Sequence, residues 1–237
     1  MRITRGGRAA GRVMQVLVAL LVLIAVAVVV RRTLFLLPVL AGGYQPQPPA
    51  NPIAAQFASA DEIFARYPLL TLAHILPALL FVLLGPLQFV SGIRTRFPGW
   101  HRQAGRVYIV SALVVGLTAL VMSIAMPAVG GPSQAAATAL FSIVFLFSLG
   151  KGVWHIWHRQ VALHRRWMLR AFAIGLAVAT IRPIIAVCAA TSLLSGWRPQ
   201  EYFGIAFWIG FTLHVAVAEA WLHRAHLQTR RSLLARA

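Results

Sequence analysis

The sequence predicts an all-α, polytopic membrane protein with about six transmembrane helices and a central four-helix bundle. Of its 237 residues, 59% are hydrophobic and only 11% are charged, whereas an ordinary soluble domain carries about 25% charged residues. Several apolar runs reach roughly 20 residues, which at ~1.5 Å per residue is enough to cross the ~30 Å hydrocarbon core of a bilayer. We therefore interpret the chain as an integral membrane protein.

Glycine, proline and charged residues separate the apolar runs, and these residues are typical of helix ends. After the first run, helices are predicted at about 68–92, 106–128, 135–156, 166–192 and 202–223. The predicted parts, in chain order, are a basic head (1–12), a first transmembrane helix (13–37), an external loop (38–67), a four-helix membrane core (68–192), a last transmembrane helix (193–223) and a basic tail (224–237).

The first apolar run has two interpretations. Val39 and Ala41 before Gly42 resemble the cleavage site of a signal peptide. The run is longer and more apolar than the usual core of a signal peptide, so we predict a retained membrane helix.

The charge pattern predicts the orientation of the chain. The formal charge is +18, and its arginines cluster between apolar runs, above all in 94–106 and 151–166. That placement is typical of cytoplasmic loops and argues against nucleic-acid binding. We expect a bacterial inner membrane, both termini in the cytoplasm, and the lipid bilayer and its anionic headgroups as partners. Arg31 and Arg32, on the predicted outer side, do not fit this pattern.

Several kinds of chemistry are excluded by composition. Cys188 is the single cysteine, so the chain has no internal disulfide, no CxxCH haem attachment and no thiolate zinc site. Only four acidic residues are present, too few for a cation pathway lined with carboxylates. The sequence also lacks a P-loop, a dinucleotide glycine motif, HExxH and GxSxG.

Ionisable residues inside the predicted spans are functional candidates, because each costs roughly 2.5–3.5 kcal/mol to insert. They are His74, Arg170, Arg182, His214 and Glu219. Arg170 and Glu219 fall at similar depth, which predicts an ion pair; His74 and Arg182 both fall in the outer half, where they could meet. Arg182 either extends toward an interface beside a proline or binds an anion, and His74 is either a core histidine or a ligand.

Two histidines near helix starts suggest haem chemistry. His101 and His164 each precede an arginine. Neutral imidazole ligates haem iron, and nearby arginines could bind the propionates of haem b. His-Arg pairs also arise from topology or from headgroup binding. The predicted metal ligands are His101 and His164, the predicted cofactor-binding residues are His74, His101, His164, Arg170 and Arg182, and the other interior polar residues are Gln88, His214 and Glu219.

These motifs together resemble a known family. His74, then GPLQF, then R-x-R-F-P-x-W-H-R-x-x-G-R-x-Y at 94–108, then H-R-R-W-M-x-R at 164–170 followed by Arg182, resemble the bacterial predicted-membrane-protein family of domain of unknown function 2306 over about residues 60–220. The helical layout is also similar to that of four-helix membrane cytochromes of the cytochrome b561 type. Those cytochromes place paired histidines within their core helices, whereas here only His74 lies inside the predicted core.

Two functions follow as expectations. The first is b-type haem binding in a redox or cytochrome-assembly role, with respiratory-chain components as partners. The alternative is a cofactor-free transporter or binder of an anionic small molecule or lipid, at Arg182 and His74. A third possibility is a purely structural membrane subunit. None of these hypotheses assigns a catalytic residue.

Overall fold

The structure, a computed structural model, describes residues 5–45 and 48–234. Within these ranges the chain forms eight helices and no strand, which confirms the all-α prediction. The helices are α1 (Arg5–Leu40), α2 (Pro52–Arg66), α3 (Pro68–Phe89), α4 (Ser91–Arg96), α5 (Pro98–Ala125), α6 (Gly131–Trp157), α7 (Val161–Ser195) and α8 (Pro199–Leu234).

Six helices of the described chain are long and apolar enough to cross a membrane, as predicted. They are Gly11–Leu40, Pro68–Phe89, Pro98–Ala125, Gly131–Trp157, Val161–Ser192 and Pro199–Leu227. Several helix ends differ from the predictions, among them the start of α5 and the end of α8. Helix α5 begins at Pro98 rather than near 106, because proline is tolerated in the first turn of a helix. Helix α8 continues beyond 223 into the predicted tail.

The predicted external loop, 38–67, contains the helix α2. Its start follows a standard local pattern: the Asn51 side chain accepts a hydrogen bond from the backbone nitrogen of Ala54 at 2.8 Å, and Pro52 occupies the first helical position. An asparagine cap followed by proline is a common helix start. The connection is therefore partly ordered by its own hydrogen bonds.

The chain divides into two compact units. Unit 1 contains residues 1–48 and 64–115, and unit 2 contains residues 49–63 and 116–237. In unit 1, α1 packs along α3. Phe81 of α3 stacks on the buried Tyr108 of α5, with ring centroids 5.0 Å apart. Helices α3 and the first part of α5 therefore form an antiparallel hairpin.

Arg32, which did not fit the charge pattern, is a packing residue of unit 1. It is only 8% exposed. Its guanidinium carbon lies 4.0 Å from the centre of the Phe64 ring and 5.2 Å from that of Phe35. Such contacts are attractive because the face of an aromatic ring is electron-rich. The charge is thus stabilised by packing between α1 and the end of α2.

In unit 2, helices α6, α7 and α8 pack on one another. The unit therefore includes the last helix, which the sequence placed outside the predicted four-helix core. Small residues allow the close approach that membrane helices need. A Cβ atom added at Gly130 would lie 2.5 Å from the backbone nitrogen of Gly204. Farther along, the Phe141 ring of α6 stacks on Phe211 of α8 at 4.7 Å.

The glycine contact generates a prediction. Gly130→Ala should destabilise the protein by about 1–3 kcal/mol, because backbone cannot move aside as a flexible side chain can. Gly150→Ala is the matched control: nothing lies within 4 Å of its added Cβ, and alanine is a better helix former by about 1 kcal/mol. Thermal unfolding in detergent measures both. Equal melting temperatures for Gly130→Ala and the parent would contradict the close approach.

Candidate functional site

The turn between α6 and α7 positions the first candidate residue. Helix α6 ends at Trp157 and α7 begins at Val161. Arg159 takes a left-handed conformation with φ of 59°, and the backbone nitrogen of Gln160 donates to the carbonyl of His155 at 2.8 Å. A left-handed residue commonly ends a helix, although glycine is usual there. The short turn makes α6 and α7 antiparallel neighbours.

His164 lies in the first turn of α7, and its side chain reaches back to α6. Its Nδ1 donates to the carbonyl oxygen of Gly152 at 2.8 Å, and the side chain is half-buried. Because a carbonyl only accepts, Nδ1 carries the proton, so in a neutral imidazole Nε2 presents a lone pair. The structure therefore fixes both the tautomer and the ring position of His164.

Gly152 permits this contact because it has no side chain. A Cβ atom added there would lie 2.6 Å from the sulfur of Met168, which occupies that space. Glycine thus leaves room for the Met168 side chain between α6 and α7, beside the carbonyl that His164 contacts.

The neighbouring histidines of the turn are bonded differently. His158 Nδ1 donates to the carbonyl of Trp154 in its own helix at 2.8 Å, and His158 is exposed. His155 Nδ1 lies 2.6 Å from Oε1 of Gln160. These contacts stabilise the end of α6 and the turn. The hydrogen bond from one helix to the other distinguishes His164 from both.

Arg170 and Glu219 form the ion pair that helix depth predicted. Arg170 Nε donates to Glu219 Oε1 at 2.5 Å, and Nη2 donates to Oε2 at 2.8 Å. The guanidinium carbon also lies 4.6 Å from the centre of the Trp167 ring. Two parallel bonds fix orientation as well as charge. Arg170 is therefore occupied by Glu219 between α7 and α8, while its predicted role in cofactor binding stays a prediction.

His214 and Arg182 lie farther along the same two helices. His214 Nε2 lies 2.7 Å from Oγ1 of Thr180, a hydrogen bond between α8 and α7. Arg182 is half-buried, and α7 continues without interruption through Pro183. The predicted meeting of Arg182 with His74 joins residues of different units and stays a prediction.

The remaining predicted residues, His74, His101 and Gln88, are half-buried in unit 1. Gln88 faces Gly105 across the α3–α5 hairpin: a Cβ atom at Gly105 would lie 3.2 Å from its Oε1. Tyr108 is 2% exposed. Among the described residues, the Tyr108 hydroxyl and the Gln88 amide nitrogen have no hydrogen-bond partner, which is uncommon for buried donors. Two buried polar groups of unit 1 thus lie on α3 and α5 without a hydrogen-bond partner.

A hydrogen-bond centre at Gln56 was missed by sequence reasoning. Gln56 Oε1 accepts from Ser192 Oγ at 3.1 Å and from the Tyr202 hydroxyl at 2.7 Å. Its Nε2 donates to the carbonyl of Ala189 at 3.4 Å. These bonds join α2 to the adjacent ends of α7 and α8. No sequence signal links residues separated by more than 130 positions.

The family model described as Predicted membrane protein (DUF2306) matches residues 71–222. The chain belongs to this family. The matched range begins early in α3 and ends in α8, so it includes every predicted site residue. Comparison with curated proteins and comparison with solved structures each gave no match. Membership in the DUF2306 family establishes a membrane protein and assigns no activity.

The ion pair of this DUF2306 protein can be tested by a double-mutant cycle. Arg170→Gln and Glu219→Gln should each lower the free energy of unfolding. The double variant should be little worse than either, with a coupling energy of about 1–3 kcal/mol, because two parallel charge-assisted hydrogen bonds join the pair. Chemical or thermal unfolding of the four proteins gives the coupling.

The Arg198–Glu201 pair serves as the control for that cycle. Its side chains are 75% and 48% exposed and its N–O distance is 3.4 Å, so its coupling should be near zero. Strictly additive effects at Arg170 and Glu219 would show that the observed geometry does not stabilise the protein.

Proposed function

We propose that this protein binds a b-type haem, with His164 as an axial ligand, and acts in membrane redox chemistry or in cytochrome assembly. The observation that carries the proposal is the bond from His164 Nδ1 to the Gly152 carbonyl. Histidines that ligate metals usually donate their second ring nitrogen to a carbonyl or carboxylate, which orients the ring and makes the ligating nitrogen more basic. In this protein His164 donates a hydrogen bond from Nδ1 to such a carbonyl, which leaves Nε2 as the ligating nitrogen.

The two arginines that follow His164 are suited to binding the propionates of a haem. Arg165 and Arg166 follow it directly and are exposed, so their guanidinium groups are available to carboxylates. Haem carries two propionates, and arginine binds carboxylates in bidentate fashion. Haem bound here would supply one-electron redox chemistry, while the chain would supply the ligand, its orientation and the propionate partners.

The chemistry of the donor set is compatible with haem. In the described part of the chain, no three His, Cys, Asp or Glu side chains cluster as ligands for a bare metal ion. A haem iron differs from such an ion because the porphyrin provides four ligands and the protein needs to add only one or two. Candidates for a second ligand are the predicted residues His74 and His101, which stay predictions.

Haem binding is tested by replacing the ligand. His164→Ala should abolish most haem binding when the full-length protein is produced with adequate haem, because the anchored imidazole is lost. His158→Ala should retain haem, since that exposed ring bonds only its own helix. Visible spectra and haem content per chain measure both. Added imidazole should partly restore the spectrum of His164→Ala but not change that of the parent.

Unchanged spectra and haem content in His164→Ala would overturn the assignment of this ligand. Parallel His74→Ala and His101→Ala variants then identify which predicted ligand contributes. A protein that carries no haem in any form, and that one anionic carboxylate or lipid protects against heat, would instead favour the cofactor-free transporter or binder at Arg182 and His74.

A further inference from the structure

The α3–α5 hairpin of unit 1 carries a groove that belongs to none of the predicted sites. Its volume is about 530 Å³. Its apolar walls are Leu76, Pro77 and Leu80 of α3 and Val107, Val110 and Val114 of α5. Leu76 and Leu80 are 47% and 46% exposed, and Val107 and Val110 are 45% and 61% exposed. The groove therefore opens on the outer surface of the protein, where a membrane protein meets lipid chains.

One charged residue, Arg106, lies at an end of this groove. Arg106 is exposed, and its Nη1 donates to Oε1 of Gln103 at 3.4 Å. A guanidinium has five N–H donors, so others remain for phosphate oxygens. The other polar wall residue, Ser111, is buried. The groove thus has two parts: one accessible positive charge at Arg106, and the apolar walls, which are called the trough below.

The charge of Arg106 and the trough lie at different depths in the membrane. Helix α5 has 28 residues, so it is roughly 42 Å long and exceeds the ~30 Å hydrocarbon core by about 6 Å at each end if centred. Arg106 lies roughly 12 Å from the helix start, and a long side chain can extend its charge to the interface. From Arg106 to Val114 the trough runs roughly 12 Å toward the centre of the bilayer.

We propose that this groove binds an anionic phospholipid, whose phosphate contacts Arg106 and whose acyl chain lies between α3 and α5. Charge complementarity selects the headgroup, because basic sites between membrane helices near an interface attract anionic lipids. The trough favours a chain over a soluble anion, because a soluble anion would leave its apolar walls unused. Three further arginines at or near this end of α5, Arg94, Arg96 and Arg102, add to the positive potential.

The site is tested on the full-length protein in micelles that contain phosphatidylglycerol or phosphatidylcholine. Phosphatidylglycerol should raise the melting temperature more than phosphatidylcholine, and native mass spectrometry should detect one retained lipid. Arg106→Gln should weaken phosphatidylglycerol binding about fivefold, the effect of one interfacial charge. Arg96→Gln removes another exposed charge, outside the groove, and should weaken that affinity much less than Arg106→Gln does.

A second variant tests the trough itself. Val110→Trp fills the groove from an exposed position and should weaken lipid binding without lowering the melting temperature of the lipid-free protein. If Arg106→Gln and Arg96→Gln lost affinity for phosphatidylglycerol equally, diffuse electrostatic attraction to the basic surface would explain the binding. The proposed site at Arg106 would then be wrong. Full affinity in Val110→Trp, or equal stabilisation by inorganic phosphate alone, would overturn the acyl-chain assignment. None of these outcomes depends on whether haem is bound.

Discussion

The bilayer interior offers polar side chains no water, and this constraint organises unit 2. Polar groups within a membrane span must be satisfied by other parts of the protein. Helix α7 meets this requirement with α8 at two levels: Arg170 bonds Glu219 in bidentate fashion, and Thr180 bonds His214. These bonds set the register of the two helices, because a shift of one turn would separate both pairs. Four polar residues of α7 and α8 thus bond to one another across the two helices.

Close packing and the proposed ligand site depend on the same residue. Gly152 leaves room for Met168, and its carbonyl oxygen accepts a hydrogen bond from His164 Nδ1. Any side chain at this position would require the Met168 side chain to move. The orientation of His164 is therefore a product of helix packing. A ring held this way needs little reorganisation to bind a ligand, which is the advantage of a preorganised site.

The sequence predicted the positions of the six spans, but only some of the contacts between helices. Apolar runs and their boundaries gave the six helices, and equal depth on α7 and α8 predicted the Arg170–Glu219 pair. Helix α2 was not predicted, because its Pro-, Gln- and Ala-containing segment resembles a loop and its bonds from Gln56 are made to distant helices. The carbonyl of Gly152 could not be predicted as the partner of His164, because main-chain acceptors leave no trace in a residue pattern.

The central claim is that a membrane protein of the DUF2306 family holds an oriented histidine for haem iron. The most direct test is the reduced-minus-oxidised visible spectrum of the wild-type protein, purified in detergent after expression with adequate haem. We expect a sharp cytochrome band in the reduced state at close to one haem per chain. A colourless protein with intact helical content and no haem after reconstitution would contradict the claim.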